Sequence, residues 1–433
     1  MRLRTSSPTS PPNRRPAVPE SGLCYHDDVM ERDERSGLFE LAAAVARARV
    51  AGLVDVYLER RAEAFWRLAA GRVVARETLL REGAAVRRAG AFASSDGLDR
   101  PALARLLGIT SRALPAFAAP RFPEAPALEE TAGAFPTAWS GVRWRWSWAA
   151  VLAGRNAVTV ARPELAEVTF GDGRRALTCW PALAPSNSDS DAETTAAATA
   201  ARPGPTRALL APAAAAVLIH ELIGHPLEGD LLLRGGSPWA GRSGQRILHA
   251  ALSVTDDPTQ GDLPGGFSAD DEGEAAAPRP LLADGVLVGA LADRRTAEAL
   301  GVRPGNARRA GAHALPRPRM SNLIVEAAAA LAQPPRGDAA VEVVSVSSGT
   351  LEPASGAILL HVRTAFALRG GSRRQRLAPF TLVGTVAKLT HGILAAAEPA
   401  AAAPEPGWCG KDGEAVPTGA VAPWLLLEGM EVR

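Results

Sequence analysis

Cysteine is scarce in this chain of 433 residues: Cys24, Cys179 and Cys409 are the only three, an odd number set far apart. That excludes a disulfide framework and fits a reducing cytoplasm. No uninterrupted apolar run reaches the ~18 residues of a membrane-spanning helix, and the N-terminal MRLRTSSPTSPPNRRPAVPE lacks the apolar core of a secretory signal. Net charge is missing too. The 48 basic and 46 acidic side chains leave +2, so no overall field draws the chain to nucleic acid or to an anionic membrane. Lysine occurs only at 388 and 411, while alanine, glycine, proline and arginine abound. Such bias blurs propensity, so alanine-rich runs such as 327–332 argue only weakly for helix, and motifs weigh more than composition.

What is present is enough apolar material, 47% of residues, for two ordinary cores. Residues 1–35, rich in Ser, Pro and charge, read as a disordered tail. A helix over Leu38–Val50 places Leu38, Leu41, Ala42 and Val45 on one face. LVDVYLERR then alternates Val54, Val56 and Leu58 with Asp55, Tyr57 and Glu59, the period of a half-buried strand. Further strands are expected over Ala64–Ala69 and Gly83–Phe92, followed by a short helix capped by Asp99 and ending near Leu107. Strands over 143–162 and 165–180 break at Gly154 and at the turn 171–174, and the small, polar stretch 186–206 reads as a linker or exposed loop. The expected fold class is α+β: an N-terminal α+β domain over 36–185 with antiparallel strands, and a mostly antiparallel β domain over 207–433 carrying one or two buried helices.

The chemistry sits in AAAAVLIHELIGHPLEGD, 213–230, which places two imidazoles and a carboxylate on an otherwise apolar helix. Polar groups there need partners, and zinc is one, since neutral imidazoles bind it and a nearby Glu can take a proton from water. A buried helix whose histidines bond backbone carbonyls is the other reading of the motif alone. His220 and His225 stand at i and i+5, about 140° apart on an ideal α-helix. A π-type turn, or a helix that ends there, brings them together, and the sequence gives cause: Pro226 disfavours α geometry at His225, and Gly224 relaxes the backbone beside it.

HELIGHPLEGD resembles the H-E-x-x-x-H and L-E-G-D motif of the TldD/PmbA family of metallopeptidases. Four later segments agree in order: FSADDEGEAAAPRPLLADGVLVGALADRRTAEALG (267–301), NARRAGAHALPRPRMSN (306–322), LAPFTLVGTV (377–386) and GWCGKDGEAVPTG (407–419). VDVYLERR and REGAAVRRAGAFASSDGLDRPALARLL are similar more loosely, and 110–206 matches weakly. The resemblance implies a zinc peptidase acting on unstructured peptides or small unfolded proteins. It implies His220, His225 and Cys409 as metal ligands, Glu221 as the base that activates water, and a dimer with a TldE/PmbA-like subunit or a second copy. Because the TldD-type subunit carries the motif and its partner lacks it, the resemblance places this chain on the active side.

Around these residues several readings stay open. Cys409, between Gly407 and Gly410, sits on backbone able to turn sharply, and Lys411 is placed to stabilise the thiolate or a developing oxyanion. Glu228 and Asp230 either orient the histidines or cap the next segment. Asp270, Asp271 and Glu272 lack calcium-loop spacing and read as a structural turn. Arg308, Arg309, Arg317 and Arg319 either bind a substrate carboxylate or partner, or form a salt-bridged face. Two rival functions remain: an inactive peptide-binding or scaffold subunit, and a cysteine hydrolase with Cys409 as nucleophile and His220 as base.

Overall fold

The structure, a computed structural model, describes residues 31–48, 50–115, 135–154, 156–172, 174–180, 198–328, 330–398 and 405–433. Helix α1 (Glu31–Arg47) buries Leu38, Leu41, Ala42 and Val45, the stripe that the spacing requires. It starts earlier than expected, taking in 31–35; the rest of the expected tail lies outside the described residues. The N-terminal sheet contains β1 (Leu53–Ala69), β2 (Arg72–Arg88), β3 (Ala91–Asp96), β4 (Trp139–Ala153), β5 (Asn156–Ala161), β6 (Leu165–Phe170) and β7 (Arg175–Cys179). Its order is β3-β2-β1-β4-β6-β7, with β5 also on β4, and every pairing is antiparallel. The separate strand expected at Ala64–Ala69 is the end of β1, and Gly83–Phe92 is divided between β2 and β3 at the Gly90 turn. Helix α2 (Arg100–Leu107) is capped as expected, Asp99 accepting from the Ala102 N–H at 2.8 Å.

The half-buried reading of β1 was too simple. Val54 is 41% exposed, whereas Asp55 through Arg60 are all buried. Val56 and Leu58 pack with α1 and Trp144, Trp146 and Trp148 of β4, while Tyr57 packs with Phe267, Ala269 and Ala312 from the other half of the chain. The polar face of β1 is thus an internal seam. Asp55 and Glu272 share Arg87, Asp271 pairs with Arg162, and Glu59 accepts from the Ala312 N–H at 3.0 Å.

From residue 204 the chain forms β8 (Gly204–Leu210), helix α3 (Pro212–Ile219), α4 (Gly229–Leu233), β9 (Leu252–Asp256), β10 (Arg279–Ala283), β11 (Val286–Leu287) and α5 (Arg294–Leu300). Then come β12 (Ala307–Arg308), β13 (Arg317–Pro318), β14 (Asn322–Ala327), β15 (Val341–Glu352), β16 (Ala357–Arg369), β17 (Ser372–Leu377), β18 (Phe380–Thr385), α6 (Val386–Gly392) and β19 (Ile393–Ala397). A hairpin, β20 (Glu405–Lys411) and β21 (Glu414–Val421), precedes the closing β22 (Trp424–Val432). One sheet runs β15-β8-β22-β18-β16-β17, and the further pairing of β15 with β16 closes it on itself. The other runs β11-β10-β9-β14-β21-β20. Both are antiparallel except at β8–β15 and β14–β21. Apolar side chains of both sheets form one core around α3, whose Ala214, Ala215, Leu218 and Ile219 are buried. The fold is therefore α+β, and a helix apolar on nearly all sides lies at its centre, as such a helix must. The alanine run after Ala327 is not helical among its described residues. No helix among the described residues is long and apolar enough to cross a membrane.

Candidate metal centre

α3 stops being an α-helix where the motif begins. His220–Gly224 is a π turn, closed by the His225 N–H bonding to the His220 carbonyl, and His225–Leu227 follows as a 3₁₀ turn. The wider turn brings the two imidazoles together, ring centres 4.9 Å apart. Pro226 has no N–H to give to the Leu222 carbonyl four residues back, and Trp239 Nε1 donates to that oxygen instead, at 2.9 Å. Gly224 leaves no room for a side chain, since a Cβ there would lie 1.9 Å from the sulfur of Met320. The turn is thus set by a proline, a replacement donor and a close approach.

Cys409 arrives from β20. The β20–β21 hairpin turns at Asp412 and Gly413, both left-handed (φ 50° and 81°), the Asp-Gly signature of a type I′ turn. The backbone around Cys409, though able to turn sharply, does not: Cys409 lies in extended strand opposite Val416, fully buried. Its sulfur is 3.7 Å from His225 Nε2, and ligand atoms of His220, His225 and Cys409 all lie within 4.8 Å of one another. Two nitrogens and a thiolate around tetrahedral zinc would stand about 3.6 Å apart across each N–S edge. This donor set fits zinc.

Electrostatics favour the thiolate at Cys409, the form that binds a metal, and the protonated imidazole at His225, which gives up a proton to become a ligand. Burial pushes the Cys409 thiol up, but the His225 charge and hydrogen bonds from both imidazoles bring it well below its usual range. Burial disfavours charge on His225, and the Glu228 carboxylate and the Cys409 sulfur outweigh it, holding His225 well above the ordinary histidine range. Glu228 Oε1 stands 3.2 Å from His225 Nδ1. Lys411 does not reach the thiolate: its Nζ binds Glu228 at 2.7 Å and Asp230 at 2.6 Å. Arg319, 1% exposed, donates to the Cys409 carbonyl, so it faces the strand backbone and not a substrate. Arg308 bonds the Met320 and Pro417 carbonyls, Arg309 the Ala314 carbonyl, and Arg317 pairs with Asp412. Asp270, Asp271 and Glu272 accept from backbone N–H groups of their own turn and of Ala307, Arg309 and Arg294, the structural role expected.

His220 and Glu221 open on a cleft of about 590 Å³ between the two halves of the chain. Its walls were not legible in the sequence. One is the β6–β7 hairpin, with Glu167 and Arg175, from the stretch that matched weakly; the other combines Ser347 to Gly349 of β15 with Trp408 of β20. The small residues of VSVSSG were the available signal, since β15 bulges between Val343 and Ser348 and Gly349 lies against Glu221.

Fold and site together define a two-part α+β protein whose second half holds a candidate mononuclear metal centre beside the cleft between the halves. A sequence model of the family, described as the PmbA/TldA metallopeptidase C-terminal domain, matches residues 203–433. This chain belongs to the TldD/PmbA family of metallopeptidases. It is 29% identical over 219 residues to a "Metalloprotease TldD homolog" of Buchnera aphidicola, covering 50% of this chain and 45% of that protein. It is 30% identical over 216 residues to a "Metalloprotease" of Archaeoglobus fulgidus, covering 49% of each. The match thus spans about half the length of these curated relatives. Among solved structures, TldE from Thermococcus kodakarensis superposes with a TM-score of 0.62 at 14% identity, over 87% of this chain and 96% of that one. A putative modulator of a DNA gyrase from Thermotoga maritima does so with 0.63 at 15%, over 91% and 99%. At such identities these two bear on the fold alone.

Proposed function

We propose that this chain is a zinc-dependent peptidase that cleaves unstructured peptides, with His220, His225 and Cys409 holding the metal and Glu221 moving the proton. The observation that carries this reading is the meeting of two imidazoles and a thiolate beside a carboxylate at a cleft. Bound zinc supplies a Lewis acid that polarises a carbonyl and makes water acidic near neutral pH. Glu221 accepts the proton of the attacking water as the C–O bond forms, and returns it to the amine nitrogen as the C–N bond breaks. β7 and β20 end their sheets, and they approach each other where both border the cleft. Main-chain pairing there would hold an extended peptide with little regard to its side chains, which suits unstructured peptides and small unfolded proteins. The full burial of Cys409 favours a ligand over a nucleophile. Family membership makes a TldE-like subunit or a second copy the expected partner.

The test is zinc content and hydrolysis of an unstructured peptide mixture by wild type and Cys409→Ala, each alone and with a TldE-like subunit. Wild type should carry about one zinc per chain and cleave, and Cys409→Ala should do neither. Zinc-loaded wild type without cleavage in either setting would leave the scaffold reading in its place.

Gly349 gives a second test. A Cβ there would come within 2.7 Å of Glu221 Cγ and Val217 Cγ1, so an alanine must push the Glu221 side chain aside. Gly349→Ala should lower turnover by up to about 10²-fold, the effect of a misplacement near 1 Å, with zinc content unchanged. Undiminished turnover would show that Glu221 does not need this position.

A further inference from the structure

We propose that Glu228 is the positioning residue for His225, fixing the imidazole through Nδ1 so that Nε2 faces the metal, while Lys411 and Arg319 hold the carboxylate from the side of the Cys409 strand. This rests on His220, His225 and Cys409 being metal ligands.

Glu228 is 0% exposed, and its two oxygens are unequally provided for. Oε2 accepts from Lys411 Nζ at 2.7 Å. Oε1 lies 3.2 Å from His225 Nδ1 and 3.8 Å from Arg319 Nε, yet has no aligned hydrogen bond to either. A buried carboxylate oxygen left this way is costly, and the donor nearest to it is the ring nitrogen. An imidazole that gives Nε2 to a metal must carry its hydrogen on Nδ1, so metal binding keeps a donor on the side of Oε1. The backbone presets the meeting: the Glu228 N–H bonds to the His225 carbonyl at 3.1 Å, closing the 3₁₀ turn that spaces the two side chains.

Both cations come from chain that also holds Cys409. Lys411 follows it by two residues on β20, and Arg319 donates to its carbonyl. Asp230 shares Lys411 at 2.6 Å and so keeps the ammonium over Glu228. One carboxylate therefore ties the ligand on the π turn to the ligand on the strand. A purely structural ion pair would tie the same elements without touching metal affinity, and that difference is measurable.

The experiment uses the full chain, stripped of metal, as wild type, Glu228→Gln and Lys411→Met. Zinc affinity is read by competition with a chromophoric chelator, and the ligand field by the absorption of added cobalt(II). Glu228→Gln should weaken zinc by about 10–100-fold and shift the cobalt d–d bands, while the thiolate-to-cobalt band persists because Cys409 is untouched. Lys411→Met, which frees the carboxylate but keeps it, should weaken zinc by less, and it carries the test if Glu228→Gln does not fold. Unchanged zinc affinity and an unchanged cobalt spectrum in the folded variants would overturn the role alone. A wild-type chain that takes up neither metal would overturn the metal centre and this role with it.

Discussion

Glu221→Gln should leave zinc bound and lower peptide turnover by ~10²–10⁴-fold, the loss usual when a proton-transferring side chain is removed. Glutamine keeps the shape of the side chain in the gap between Val217 and Gly349, so β15 and the π turn need not move. What it loses is the ability to take a proton. Glu221 is not among the three residues whose ligand atoms converge, so the metal should stay. Single-turnover cleavage of a labelled peptide, with zinc measured on the same sample, separates the two effects. Zinc lost together with activity would make Glu221 a ligand, and full activity would assign the proton transfer to another group.

Much of this centre was readable because local chemistry dictated it. The i, i+5 spacing of His220 and His225, with Pro226 directly after, pointed to a π-type turn or a helix end, and a π turn is there. The Asp99 cap likewise acts through a residue three positions away. Long-range partners were not readable. Trp239, which satisfies the carbonyl that Pro226 leaves open, is 17 residues from it, and Lys411 chooses Glu228 and Asp230, more than 180 residues away. The alternation in β1 was read correctly as two faces, but nothing in LVDVYLERR reveals that the polar face is covered by residues 267–312. The same limit hid the β6–β7 wall of the cleft, whose relation to the centre exists only once both halves have folded against each other.

The seam between those halves carries the second large effect. Arg87 donates through Nε to Asp55 at 2.8 Å and through Nη2 to Glu272 at 2.5 Å, and both carboxylates are 0% exposed as side chains. Burial disfavours the Arg87 charge, but Glu272 and Asp55 more than compensate and raise its pKa. Among the described residues, Arg309 at 3.5 Å is the remaining cation paired with Asp55, and Glu272 keeps the Arg294 N–H at 2.7 Å. Arg87→Met therefore leaves two buried carboxylates short of a cation, which should cost about 3–5 kcal/mol of stability at neutral pH. Urea unfolding at neutral pH should show this deficit against wild type. Adding Asp55→Asn to Arg87→Met should recover part of it, because one of the stranded charges is gone. No recovery in the double variant would mean that lost packing of the arginine stem, and not stranded charge, sets the cost.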